Sequence, residues 1–434
     1  VHPSVDICIV TQSHLSANPR VVKEADALTE AGYSVAVIAP DYSAWGREAD
    51  KAFVGRAWKI VERPQFGPSS PRMTRIAEVA RRAFAGVAAR TLGIDHSSVV
   101  HAAWHPVTPA LIRAAQLQPA KLYIAHYPAA LPAAAIAAAR HAARYAYDAE
   151  DFHPGDLPDR PEHVTSNKMV RLIERRNLPG CAYVTAASPG IADAYAIEYG
   201  TLRPSVILNT SPKSNAPKCN TSAGSARPAP SIYWFSQTIG HDRGLQSAVR
   251  AIALSSCRPH LYLRGECPPR FAVDLRKLAQ DHWVEERLHI LSLAPPQEME
   301  KLAAAYDVGL CSEIGHTPNR RIALTNKQFT YLLAGLPALM SKIPAHRAFA
   351  AEAEGAVELF EVDDAVSLAQ AIDQVLGDPH RLAAMRATAW KLGQARFNWS
   401  VDAMRLVGLV QRVVTPLQQA APQLAPDRTA GNLA

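Results

Sequence analysis

Short runs of β-branched and aromatic residues alternate with longer stretches of helical period from the start of the chain, the arrangement that parallel strands with crossover helices require. In the first half these runs predict strands at 5–11, 34–39, 58–62, 98–102, 122–125, 144–147 and 182–186. Between the first two, Val21, Val22, Ala25 and Leu28 share one face of a helix over 19–31, and Gly32 stands at its C-terminal stop. Across 209–230 the pattern gives way to Pro, Ser, Asn and Thr, which bury too little apolar area to offset ordering entropy, so the stretch reads as a linker. The alternation then restarts, with strands expected at 232–235, 261–263, 288–291, 308–311, 338–340 and 356–360. The expected architecture is α/β, with two doubly wound Rossmann-like domains, 1–208 and 231–396, facing a cleft. A last helix over 397–418 and a disordered tail over 419–434 complete the expectation.

Composition narrows the class. With 434 residues, 48% of them apolar and 20% charged, the chain has ample core material, which excludes disordered, collagen-like and disulfide-stapled classes. The net charge of +7, from 46 basic and 39 acidic residues, leaves a nucleotide, nucleic acid or an anionic membrane open as acidic partners. No run reaches the roughly 18 apolar residues that span a bilayer, and the start lacks a basic, then apolar, export signal. A cytoplasmic protein is expected. The six cysteines form no C-x-x-C pair, and Cys8, Cys181 and Cys311 read as buried thiols. His101 and His105 are spaced as in a zinc helix, but Ala102 stands where that motif needs glutamate and Pro106 breaks the turn, so no metal is expected there.

Neither half carries G-x-G-x-x-G after its first strand, and no P-loop occurs. The stretch 234–244 sits at a strand exit and supplies Ser236, Gln237, Gly240, Arg243 and Gly244, either a phosphate site at a helix N-terminus or an ordinary glycine-containing turn. In 324–337, Thr325 is the expected N-cap, Phe329, Leu332 and Leu333 face the core, and Gly335-Leu336-Pro337 ends the helix. Asn326 and Lys327 then occupy the first turn, where a lysine is unfavourable unless an anion neutralises it. In the first half, His126 closes one predicted strand, while Asp148, Glu150 and Asp151 follow the next. These carboxylates suit proton transfer or charge stabilisation, or the capping of a helix after Pro154. Over 71–93, Arg72, Arg75, Arg81, Arg82 and Arg90 face the single acid Glu78. Met73, Ile76, Val79, Ala80, Phe84 and Val87 follow a helical spacing, as in a helix that lies in an anionic leaflet or one that packs on a core.

Taken in order, Asn18-Pro19-Arg20-Val21, Gly32-Tyr33-Ser34-Val35, His126-Tyr127-Pro128, Tyr147-Asp148-Ala149-Glu150-Asp151-Phe152-His153, the 234–244 stretch, Asn326-Lys327 before Ala334-Gly335-Leu336-Pro337, and Phe397-Asn398-Trp399 resemble the retaining GT-B glycosyltransferases. The likeness is to the nucleotide-sugar-dependent, family 4-like group that builds capsules, exopolysaccharides and glycolipids, and it runs over nearly the whole chain. It implies that the second domain holds a nucleotide diphosphate sugar and the first a lipid-linked or glycan acceptor. Arg243 and Lys327 would meet the diphosphate without a metal or other cofactor, and His126 would reach the transferring sugar. The last helix would cross back to the first domain on Met404, Leu406, Leu409 and Val410. Nucleic acid drops out as a partner, and a peripheral position on the inner face of the cell membrane through 71–93 becomes an expectation. The chain departs from the family where two glutamates precede the Gly335 turn: Ile322 and Thr330 stand there. Sugar and ribose recognition would then fall to Glu313, Asn326 or Gln328. A non-catalytic nucleotide-sugar-binding or partner subunit, or a sugar-nucleotide epimerase on the same fold, are the alternatives.

Overall fold

A computed structural model describes residues 3–91, 97–158, 160–200, 203–218 and 227–414. The first sheet comprises β1 (Val5–Thr11), β2 (Val35–Ile38), β3 (Lys59–Glu62), β4 (Ala120–His126), β5 (Arg144–Asp148), β6 (Val184–Ala186) and β7 (Ser205–Val206). Its order is β3-β2-β1-β4-β5-β6-β7, and every pairing is parallel. The second comprises β8 (Ser231–Thr238), β9 (His260–Glu266), β10 (Leu288–Leu291), β11 (Val308–Cys311), β12 (Ala338–Ser341) and β13 (Val357–Phe360) in the order β10-β9-β8-β11-β12-β13, again parallel throughout. Both are doubly wound sheets whose direction of winding reverses beside the first strand, between β1 and β4 and between β8 and β11. Such reversals open a crevice at the carboxyl ends of the strands. Central strands such as β11 and β12 are buried along their whole length, as a parallel sheet covered on both faces demands.

The helix Pro19–Glu30 forms where the apolar period placed it. Pro19 opens it, and the Asn18 side chain accepts from the Arg20 and Val21 amides. Gly32, at a φ of 93°, takes the left-handed conformation that ends it. The 98–102 run is not a strand: the chain is helical over Ser97–Trp104. Val100 and Ala103 sit one turn apart on its buried side, and that packing outweighs the strand preference of two adjacent valines.

The last helix, Trp399–Val414, packs Trp399, Leu406, Leu409 and Val410 against Ile7, Ile9, Val21 and Leu122 of the first domain. Met404, expected on the packed face, is 69% exposed, because it lies about 200° around the helix from Leu406. The start of the linker is tied down at the same place. Lys23 Nζ donates to Asn209 Oδ1 at 2.9 Å and lies over the Trp399 ring, while Thr210 Oγ1 donates to Asp402 at 2.7 Å. The expected tail over 419–434 lies outside the described residues. Cys8 and Cys311 are buried and Cys181 is partly buried, all as free thiols.

Candidate active site

The carboxyl ends of β4 and β5 and the first turns of the Pro19–Glu30 helix build a buried charged cluster. His126 ends β4 with its ring fully buried; Nδ1 stands 2.8 Å from Glu150 Oε1 and Nε2 3.0 Å from Glu24 Oε2. Arg20 grips both oxygens of Asp148, at 2.5 and 3.2 Å, and Asn18 Nδ2 donates to Glu150 Oε1 at 2.7 Å. Asp148 and Glu150 are therefore not carboxylates open at a cleft edge. Asp148 is spent on Arg20, and Glu150 keeps only about a tenth of its side chain exposed. Tyr127 (φ 69°) and Glu150 (φ 54°) are both left-handed without being glycine, a backbone cost of about 1–2 kcal/mol each that recurs at functional sites.

Charge follows geometry here. Burial alone would lower the pKa of His126, but Glu24 and Glu150 raise it to about 10. Burial likewise lifts the Glu24 carboxyl to about 7, against the pull of His126. Asp148 moves the other way: burial would raise it, but Arg20 and His126 hold it well below the usual carboxylate range. The donor atoms of Glu24, His126 and Asp148 lie within 4.8 Å of one another, the spacing that one cation needs. The Arg20 guanidinium already supplies that positive charge to Asp148, and both imidazole nitrogens face carboxylates, so Arg20 and His126 organise the group.

Asp151 turns to the second domain. Asn319 Nδ2 lies 3.0 Å from Asp151 Oδ1 and 2.8 Å from Asp156 Oδ1, and the Asn319 oxygen accepts the Phe152 amide at 2.9 Å. Beside it Ser188 Oγ donates to the Ile322 carbonyl at 2.7 Å. A Cβ on Gly190 would stand 2.9 Å from Ile322 Cβ, and one on Gly155 would stand 2.8 Å from Pro318 Cβ. The short helix Pro318–Ile322 thus seats directly on the first domain, and Ile322 serves as a packing residue of that joint.

In the second domain Ser236 and Gln237 stand at a break in the β8–β9 register, which Gly265 permits: a Cβ there would lie 2.5 Å from Ser236 O. Gly240 follows in the turn. Gly244, left-handed at 66°, caps the helix Leu245–Leu254 and lets the turn approach Ser312, whose carbonyl a Cβ would meet at 2.3 Å. That contact brings Arg243 to the exit of β11, with NH1 3.7 Å from Glu313 Oε2. Lys327, at the first position of the helix Lys327–Leu333, places Nζ 2.8 Å from Glu313 Oε1, both side chains 4% exposed. The anion its position called for is supplied within the chain. Burial would raise the Glu313 carboxyl, yet Lys327 and Arg243 draw it down to about 2.

Two expectations about this helix need correction. Thr325 is not the N-cap; Asn326 holds that place without a side-chain capping bond, and the Thr325 hydroxyl donates to Gln328 Oε1 at 3.2 Å. Thr330 is buried, with its hydroxyl on Glu300 at 3.0 Å, so it stands in the core beside another carboxylate. Asn326 is exposed. The Arg320 charge lowers the carboxyls of Asp151 and Glu313 slightly, behind their nearer partners. Sequence reasoning assigned no role to Asn18, Arg20, Glu24, Asn319 or Arg320. Arg20 and Glu24 left one trace: with Leu28 they fall four apart on a single helix side, so charge interrupts an apolar stripe.

No family model matches the sequence, and no curated sequence matches it. Among solved structures, the chain is similar to HepE of Anabaena, crystallised with UDP and with UDP-glucose, with a TM-score of 0.67 and 15% identity over 94% of this chain and 100% of that one. Sucrose-phosphate synthase of Thermosynechococcus elongatus is similar with a TM-score of 0.66 and 15% identity, over 94% of this chain and 98% of that one. A glycosyltransferase of Rickettsia africae has a TM-score of 0.63 and 12% identity over 96% and 100% of the two chains. These likenesses define the class by fold: two Rossmann-like domains in the GT-B arrangement.

Proposed function

We propose that the protein is a glycosyltransferase that moves a sugar from a nucleotide diphosphate sugar to a lipid-linked or polysaccharide acceptor, with retention and without a metal. One observation carries the reading: a strained carboxylate–histidine cluster on the first domain and an Arg243–Lys327 cation pair on the second flank the joint that Asn319 makes with Asp151. The two cations, with the amides that open the helix Leu245–Leu254, suit a departing diphosphate. A cavity of about 320 Å³ beside Gly244 and Ile314 adds room near the helix start. Lys327 then exchanges its partner Glu313 for donor phosphate, so that donor binding is coupled to a rearrangement of this pair. Domain contact at Asn319 and Ile322 keeps water from the donor.

The acceptor side rests on the helix Arg72–Thr91. It buries Ala85 and Ala88 but leaves Met73, Ile76, Val79, Phe84 and Val87 between 56% and 78% exposed. These side chains occupy one face of the helix, flanked by the exposed Arg75 and Arg81, with the exposed Arg72 at its start. An apolar face edged by arginine suits an anionic leaflet, which supports a peripheral position on the cytoplasmic side of the cell membrane. No described helix is long and apolar enough to cross a membrane.

Thermal shift with UDP, GDP and ADP tests the donor site, and donor hydrolysis by wild type against Lys327→Ala tests its chemistry. Nucleotide binding without turnover would favour a non-catalytic subunit, a reading that Ile322 and the buried Thr330 support. Flotation with anionic vesicles tests the helix; equal binding after Phe84→Glu and Val79→Glu would exclude it as the anchor.

A further inference from the structure

The helix that carries Arg20 and Glu24 buries two opposite charges on a side otherwise apolar, and only Arg20 has an evident task, the grip on Asp148. Glu24 faces His126, with Asp148 close beside it. Its Oε2 takes the imidazole at 3.0 Å, and its Oε1 is buried with no hydrogen-bond partner. On the far side of the ring Nδ1 meets Glu150 at 2.8 Å. Both neighbours of the imidazole are carboxylates. With both carboxylates ionised, the two contacts require a proton on each ring nitrogen, whereas a neutral ring satisfies both only if the Glu24 carboxyl keeps its own proton and donates to Nε2.

Exposure orders the three groups. The side chains of Glu24 and His126 are 1% and 0% exposed, and that of Glu150 is 11%. Glu150 is thus the outer end, one residue from Asp151 at the domain joint. It also accepts from Asn18, and its own amide donates to Asp148 Oδ1 at 3.2 Å. Its left-handed backbone persists only because these contacts over-determine it.

We propose that Glu24 is a positioning residue, which holds His126 as the imidazolium that clamps the Glu150 carboxylate at the outer end of the cluster. The inference rests on the glycosyltransferase reading for its consequence in activity, but not for the clamp itself. His126 then acts through Glu150 and does not touch the transferring sugar, since neither ring nitrogen is free. The charged groups around the ring come from every side: Arg20, Lys23 and Glu24 on the flanking helix, Asp148 at the end of β5 and Glu150 just past it, and Asp402 on the last helix, which acts on Arg20 and Lys23. Tyr127 and Tyr183 are the phenols nearby, both pushed up by burial and these carboxylates. Among the groups that raise His126, Glu24 contributes most.

The direct test is nitrogen and carbon NMR of the His126 ring in the full chain. The wild-type ring is expected to stay doubly protonated beyond pH 8, and a singly protonated ring at pH 7 would overturn the proposal without any variant. In Glu24→Gln, which keeps shape and removes charge, the midpoint is expected to fall by about one to three pH units. Glu24→Asp is expected to restore part of that loss. An unmoved midpoint in Glu24→Gln also overturns the clamp. In activity, the alkaline limb of kcat/KM for donor should move down with the ring while donor Kd stays constant, a split that mere loosening of the fold would not give. If wild type neither binds a nucleoside diphosphate nor consumes donor, the glycosyltransferase reading fails, while the ring measurement still decides the clamp.

Discussion

Asn319 of the second domain holds Asp151 and Asp156 of the first together, donating to both from one amide nitrogen at 3.0 and 2.8 Å. Two carboxylates converge on a single neutral donor inside the joint, and burial together with the charge of Asp156 pushes the Asp151 carboxyl up. Asn319→Asp puts a third acid there. It should loosen the joint by about 1–3 kcal/mol and enlarge the radius of gyration in solution scattering at pH 8. Identical scattering curves for the two proteins would show that the domains are held by other contacts.

Lys327 and Glu313 make the second test. Breaking a buried pair by removing one partner costs about 3–5 kcal/mol, while replacing both can be near neutral. Lys327→Met should therefore destabilise the chain in denaturant titration, and Lys327→Met with Glu313→Leu should recover most of the loss. Nucleoside diphosphate binding should be absent from both. Binding retained by the double variant would remove Lys327 from the donor site.

Stability should fall on the alkaline side. His126, raised to about 10, contributes stability that is complete below its ordinary value near 6.5 and is lost as pH rises through about 10. Glu24, raised to about 7, acts in the same sense, because the native state binds its proton more tightly than the unfolded chain between about 4.5 and 7. Calorimetry from pH 6 to pH 10 should show a melting temperature that declines by several degrees. His126→Asn should flatten that decline, and an equal slope in the variant would place its origin elsewhere.

Glycines predict opposite signs at two positions. A Cβ on Gly393 would stand 2.4 Å from Leu332 O, backbone of the helix Lys327–Leu333, so Gly393→Ala should cost about 1–3 kcal/mol. Gly86 lies within the helix Arg72–Thr91 with nothing within 4 Å of the added atom, and Gly86→Ala should stabilise by about 0.5–1 kcal/mol. Urea midpoints read both.

Where local signals agreed, the fold was legible. Asn18-Pro19 before an apolar stripe and Gly32 after it mark the first crossover helix, and cap, period and stop each have a local physical cause. The 98–102 run shows the limit, since adjacent valines suit a strand and only the packing of Val100 and Ala103 decides for a helix. The site was half legible. Lys327 at the head of a helix announced a missing anion, but Glu313 is met only because Gly244 lets the first turn of the second domain close on the exit of β11. Arg20 and Asp148 are 128 positions apart, and no pattern in a single sequence joins them.

The sequence by itself determined the alternation of strand and helix, the two-domain plan and the charged residues set at helix starts and strand exits, because period, caps and charge type are local properties. Only the tertiary structure decided which carboxylates are spent. It closes Asp148 on Arg20, seats His126 between Glu24 and Glu150, and turns Thr330 into the core. A charge inside a protein is defined by the partners that burial forces upon it, and those partners arrive from strands and helices far apart in the chain.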